Sequence, residues 1–379
     1  MSAKTAKRSG GGRKSVKKRR IVFLDYLRAF APLFVVGVHI CMRATLWSNS
    51  LPDIYSGDYL WLGMITRVFR VAVPIFCMIS GAVFLDPRRP FDYKKHYLKT
   101  VPRILLIFLV WSLIYAAIVA VLSDGSGHDR WMVFIDNSIS GFWHLWYLKM
   151  LIAVYLIVPL LRKIVKDRKV LRVAVALIIF CFSMITLGWI MGVLAKIGGE
   201  NSIMAHIAKA VNLSTVNVAE FMWVGYIAYF ILGYYLVTER FSRAVRRIIY
   251  AIGVGGLVMT MLFSVARSRV FGADLAVGND MLGDLGMLFY ASAVFLATRE
   301  LLGRRRKTGR VVAFMAKHSL GIYVIHALFI LLACKFLALP SWHMCSMLVL
   351  IPGLTLITYA MSLLLSWLLS KIPVLKKVV

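Results

Sequence analysis

Ten separate stretches of this chain are apolar over a length that crosses a lipid bilayer, at about 21–43, 60–85, 101–122, 144–161, 170–195, 218–238, 248–266, 281–298, 318–334 and 344–370. A backbone in hydrocarbon has no water to satisfy its N–H and C=O groups, so segments of this length cross as helices. With 60% hydrophobic residues against 16% charged, the 379 residues do not make one water-soluble domain. The expectation is an all-α fold, a polytopic transmembrane helical bundle of about ten spans. One membrane domain, 21–370, is flanked by a basic tail, 1–20, and a short tail, 371–379.

A formal charge of +30 invites a nucleic-acid reading, but its distribution answers differently. If the N-terminus is cytoplasmic, inner segments hold 35 of the 46 lysines and arginines and outer segments hold 7. The remaining four, Arg28, Arg67, Arg70 and Lys149, fall inside spans. That asymmetry is the positive-inside rule and predicts that both termini are cytoplasmic, in a multi-pass protein of the cytoplasmic (inner) cell membrane. The first twenty residues, MSAKTAKRSGGGRKSVKKRR, have nothing apolar to bury, which predicts disorder against anionic lipids and no nucleic-acid partner. They do not open a signal peptide, because Asp25 and Arg28 interrupt an apolar region already too long for one. Cys41, Cys77, Cys181, Cys334 and Cys345 form no CxxC pair and read as packing residues, with a Cys334–Cys345 disulfide as the one open alternative.

Charges inside spans cost a few kcal/mol each, so they need partners or a function. The first span, Ile21 to Met42, carries Asp25, Arg28 and His39. Eleven residues separate Arg28 from His39, which brings both to nearly one face, ~16 Å apart along the axis. Asp25 is placed to pair with Arg28, and Pro32 frees the carbonyl of Arg28. An interhelical ion pair plus a satisfied interior histidine explains the stripe as well as a site does. In the second span Arg67 and Arg70 share a face, and Pro74 repeats the proline device. They suit an anionic ligand, or pairing with Glu220, Asp284 or Asp25. Ser80-Gly81 reads as a close helix approach.

Arg103 opens the third span after a basic loop and fits either a phosphate of a cytoplasmic donor or a snorkelling boundary cation. The segment 123–143 reads as a polar outer loop leading into Phe142-Trp143-His144-Leu145-Trp146-Tyr147. That cluster looks like an interfacial aromatic belt, in which His144 also has rings beside it for stacking on a sugar. Lys149, a turn deeper, needs a partner. The loop 196–217, with an amphipathic run at Met204–Val211, and the loop 267–280 are the other outer segments able to line a site. In the ninth span Ser319, Tyr323 and His326 face one way. There is no HExxH, no Cys/His ligand cluster, no GxxxxGK[ST] and no GxSxG, which argues against a metal site, ATP-driven transport and a serine hydrolase. Acid–base chemistry by histidine is what remains.

Five stretches, in order, resemble the integral-membrane acyltransferase 3 family: LDYLRAFAPLFVVGVH (Leu24–His39), VPIFCMISG (Val73–Gly81), HLWYLKMLIAVYLIVP (His144–Pro159), YIAYFILGYYL (Tyr226–Leu236) and SLGIYVIH (Ser319–His326). The resemblance implies transfer of an acyl group from a coenzyme A thioester to a carbohydrate hydroxyl, on a surface polysaccharide or its lipid-linked precursor. No permanently bound cofactor is implied, and the expected co-substrate is acyl-CoA, namely acetyl-CoA on the absence of a recognisable appended soluble domain. On that reading His39 is the catalytic base or a transient acyl carrier, and Arg28 holds the donor's pantetheine or phosphate region or, as a catalytic group, the thioester carbonyl. Arg103, Ser319, Tyr323 and His326 complete the donor side. Arg67, Arg70, His144, Trp146, Tyr147 and Lys149 form the acceptor side. Two other classes fit a many-helix protein: a transporter or flippase, although no repeat relates 21–195 to 218–370, and a non-catalytic assembly component that binds polyprenyl pyrophosphate through Arg67 and Arg70.

Overall fold

The computed structural model of the chain describes residues 21–47, 57–88, 90–199, 222–271, 284–336 and 344–379, with isolated positions between 202 and 210. The basic tail, Glu220, most of the Met204–Val211 run and the segment 272–283 lie outside the described residues. Every regular element described is helical. In chain order they are α1 (Val22–Trp47), α2 (Gly57–Phe69), α3 (Ala72–Phe84), α4 (Val101–Leu122), α5 (Gly127–Ser140), α6 (Trp146–Leu156), α7 (Val158–Ile164), α8 (Arg168–Gly198), α9 (Met222–Thr238), α10 (Arg243–Phe271), α11 (Leu285–Leu302), α12 (Arg310–Lys317), α13 (Ser319–Phe336) and α14 (Met344–Leu369). Among the described residues nine helical segments are long and apolar enough to cross a membrane, and a tenth apolar helix, Gly225–Thr238, is shorter. The all-α polytopic bundle expected from the sequence is what the chain forms.

Two of the spans are broken, each for a local reason. The second splits into α2 and α3 at Arg70–Val71, because Pro74 has no N–H to offer the carbonyl of Arg70. Pro32 creates the same vacancy inside α1, yet that helix stays continuous for 26 residues. The other break corrects the sequence reading. The segment 123–143 is not an outer loop: Ser126 and Asp129 form a capping box that starts α5, and α5 runs back alongside α4. It ends at Gly141, whose φ of 75° lies in the left-handed region that a side chain disfavours. A Cβ there would also sit 2.8 Å from the ring of Phe108, halfway along α4. The span is therefore Gly127–Leu156, built from α5 and α6 with a 3-10 turn at Trp143–Leu145 between them, and not 144–161. Its averaged hydropathy is low because α5 is amphipathic, with Asp129, Asp136 and Asn137 beside Trp131 and Phe134.

The centre of the bundle is fixed by α3 lying against α9. A Cβ on Gly81 would fall 1.7 Å from the carbonyl oxygen of Phe230, and one on Gly233 would fall 2.2 Å from that of Met78. These two glycines let the backbones touch, the small-residue packing that hydrocarbon favours. The close approach read from Ser80-Gly81 is present. Cys41 and Cys77 are buried thiols and Cys181 is half-buried, so these three act as packing groups. The side chain of Cys345, and with it the question of a disulfide, lies outside the described residues. The last residues fold back against the bundle, where Trp111 Nε1 donates to the carbonyl of Val378 at 2.9 Å and Val378 is buried. Gly81→Val forces α3 and α9 apart and should destabilise the protein by about 1–3 kcal/mol, seen as a lower thermal unfolding midpoint in detergent; an unchanged midpoint contradicts this packing.

Candidate active site

The break at Gly141 sets the chemistry of the interior. It turns α5 into the turn that carries Trp143 and His144 at half the depth of α4, where two neighbouring helices meet them. From α1 comes His39; from α13 come Tyr323 and His326. The ring of His39 stacks on that of His326, with centroids 5.3 Å apart and planes at 22°. The ring of His144 stands edge-on to His326 at 5.1 Å. Trp143 stands edge-on to His39 at 4.4 Å, and on its other side the guanidinium of Arg43 lies 5.3 Å from the indole centre. Three imidazoles and an indole thus form one cluster. His144 and His326 are 1% and 0% exposed, and His39 is half-buried.

Backbone carbonyls orient the two buried rings. His326 Nδ1 donates to the carbonyl of Tyr323 at 2.6 Å, and His144 Nε2 faces the carbonyl of Val324 at 3.4 Å. The hydroxyl of Tyr323 in turn donates to the carbonyl of His144, and that of Tyr115 donates to Val324 at 2.7 Å. The ring of Tyr115 lies edge-on to His144 at 5.0 Å. Sequence reasoning passed over Tyr115, which sits in a featureless apolar run; only its spacing from Trp111, one turn earlier, marks that face of α4.

Below the cluster lies a cavity of ≈ 230 Å³ between α1, α3, α4, α6 and α13. Arg28 and Ser319 line it at one end, Tyr147 and Tyr323 at the other, with Ser80 and Tyr155 on its walls. Asp25 holds Arg28 in place: its Oδ1 accepts from the guanidinium at 3.4 Å and its Oδ2 from the hydroxyl of Thr308 at 2.9 Å. A second cleft of ≈ 250 Å³, on the side of α1 that carries Phe30 and Phe34, is lined by no charged side chain and has no chemistry to offer.

The remaining candidates are placed as follows. Tyr147 and Trp146 start α6; Tyr147 faces the cavity and not an outer surface, and Trp146 stacks near Tyr226 at 5.4 Å. Arg70 is buried near His39 and Tyr226. Arg67 is 2% exposed and donates through Nε to Ser264 at 2.9 Å, close to the carboxylate of Asp284 that caps α11. It ties α2 to α10 and α11, away from the histidines. Lys149 is exposed and donates to the carbonyl of Ser140 at 2.9 Å, so it closes the end of α5 and does not reach the cluster. Arg103 is exposed beside Ile104, which lines the cavity. No group of three or more His, Cys, Asp or Glu among the described residues is arranged to hold a metal ion.

No curated protein and no solved structure matches the chain. A family model does: that of the acyltransferase domain called acyltransferase 3 matches residues 21–371, nearly the whole sequence. The chain belongs to the acyltransferase 3 family. It is a membrane acyltransferase, and the transporter reading has no comparable support. In acyltransferase 3 terms, the leading Arg28 and His39 share the side of α1 that faces α13. One lines the cavity and the other caps its far end in the histidine cluster.

Tyr115→Phe removes the shorter of the two side-chain bonds to the Val324 carbonyl and leaves only His144 Nε2 at 3.4 Å. The cost should be about 1–2 kcal/mol, read as a lower unfolding midpoint; a midpoint equal to wild type means the bond contributes nothing.

Proposed function

We propose that the protein transfers a short acyl group, acetyl in the simplest case, from a cytoplasmic acyl-CoA to a hydroxyl of a surface polysaccharide or lipid-linked glycan. One observation carries this reading: a cavity lined by a carboxylate-held arginine is also lined by Tyr323, which contacts His144 and His326 of the three-histidine cluster. Acyl transfer to oxygen needs a base for the hydroxyl proton, donors or positive charge for the carbonyl oxyanion, and a grip on each substrate. His39, the one half-buried ring of the three, is the base that an arriving hydroxyl reaches first. The ~16 Å between Arg28 and His39 along one helix is comparable to a pantetheine arm. Arg28 then grips the donor, and Arg103 with the basic loop before it offers charge to the donor's phosphates. Tyr147 and Tyr323 at the end of the cavity favour a small acyl group. Neither Arg67 nor Lys149 has a part in this scheme, since Arg67 is engaged by Ser264 of α10 and Lys149 by the carbonyl of Ser140 at the end of α5. On the acceptor side remain Arg70, His144 and Trp146, with anionic lipid the expected partner of the basic tail.

The test is thiol release from acetyl-CoA by protein reconstituted in liposomes with cell-surface glycan as acceptor, together with mass analysis of the glycan. His39→Ala should lower kcat by about a hundredfold or more; full turnover by this variant refutes the assignment. Arg28→Ala should raise KM for acetyl-CoA by about tenfold or more, and an unchanged KM removes Arg28 from the donor site.

A further inference from the structure

A proton released by the acceptor hydroxyl has to end on the sulfur of coenzyme A, and the two partners approach His39 from opposite ends of the cavity. Resting on the acyl-CoA-dependent reading above, we propose that His326 is the relay between them, taking the proton from the His39 side and delivering it to the cavity side.

The tautomer makes the case. A carbonyl only accepts, so the Nδ1 of His326 that bonds the Tyr323 carbonyl at 2.6 Å carries a hydrogen. In the neutral ring Nε2 then bears a lone pair. That atom is buried and has no hydrogen-bond partner among the described residues, on a residue that is 0% exposed. A buried acceptor left open costs about 1–3 kcal/mol, which a purely structural histidine has no reason to bear. His144 repeats the pattern: Nε2 faces the Val324 carbonyl, and its buried Nδ1 is equally without a partner. Two unsatisfied lone pairs within one cluster ask for a proton donor. A thioester has none at its acyl end; an acceptor hydroxyl and a protonated His39 both do.

The two nitrogens of His326 face different neighbours. Its Nδ1 is bound to Tyr323, a residue that lines the donor cavity, while the ring as a whole stacks on His39. In the transfer the acceptor oxygen bonds the acyl carbon as its proton passes to His39. The C–S bond breaks, and its electron pair stays on sulfur. His39 gives the proton to Nε2 of His326, and the Nδ1 hydrogen goes to the thiolate. One ester and one thiol form, and both histidines end neutral, with His326 left as the Nε2–H tautomer; loss of that proton to water and uptake of another at Nδ1 restore the starting state. His326 was expected on the donor side as a binding group; here it is a proton carrier that serves both substrates.

The test uses His326→Asn in the liposome assay. The asparagine amide keeps an N–H near the Tyr323 carbonyl and has no basic nitrogen. The relay expects kcat to fall by about a hundredfold or more, with KM for acetyl-CoA within about twofold of wild type. It also expects a curved dependence of the wild-type rate on deuterium fraction, because more than one proton moves. Turnover of His326→Asn within about threefold of wild type overturns the proposal. If the variant does not fold, the wild-type deuterium dependence decides alone: curved supports the relay and linear overturns it. Failure of the underlying reading looks different, because wild type then releases no thiol from acetyl-CoA, and the relay falls with it.

Discussion

In hydrocarbon an interrupted helix exposes carbonyls that no solvent will bind, and the break at Gly141 is survivable only because other elements answer each one. Lys149 donates to Ser140, the N–H of Gly141 to Asn137, the N–H of Leu145 to Phe142, and the hydroxyl of Tyr323 to His144. On the facing helix Tyr115 serves Val324 in the same way. The bonds that reach the break come from α6 and α13, and α4 adds the ring of Tyr115, edge-on to His144. The histidine cluster is a product of this repair. Without the break, His144 would lie along a continuous helix, and neither His39 nor His326 would meet it.

The first helix was legible because its information is periodic. A separation of eleven residues fixes two side chains on one face whatever the neighbours do, and Asp25 within three residues of Arg28 is a contact α1 makes by itself. The run SLGIYVIH in α13 was legible for the same reason. Hydropathy led to about ten spans, and among the described residues nine helices are long and apolar enough to cross a membrane, with Gly225–Thr238 a shorter apolar helix.

The fourth span was misread because averaging hides a helix that is apolar on one side. Asp129, Asp136 and Asn137 depress the mean over α5, and nothing local says that Gly141 adopts positive φ. Shifting the start of that span moved every residue after it. Lys149 was read as a cation a turn deeper in need of a partner or a ligand, and it is exposed with the Ser140 carbonyl as its partner; Tyr147 was read as interfacial and is buried beside Arg28's cavity. Arg67 shows the other limit. Its two sequence readings were a ligand or a distant acid, and the choice rested on α10 and α11, whose Ser264 and Asp284 are about two hundred residues away. The cavity itself, shared among five helices, has no signature in any one of them.

The glycine contacts of Gly81 and Gly233 leave no side-chain layer between α3 and α9, so that pair has nothing compressible at its seam. It behaves as a stator. Any widening of the cavity has to be taken up by the opposite wall, where α13 and α6 meet through the edge-on rings of Tyr323 and Tyr147.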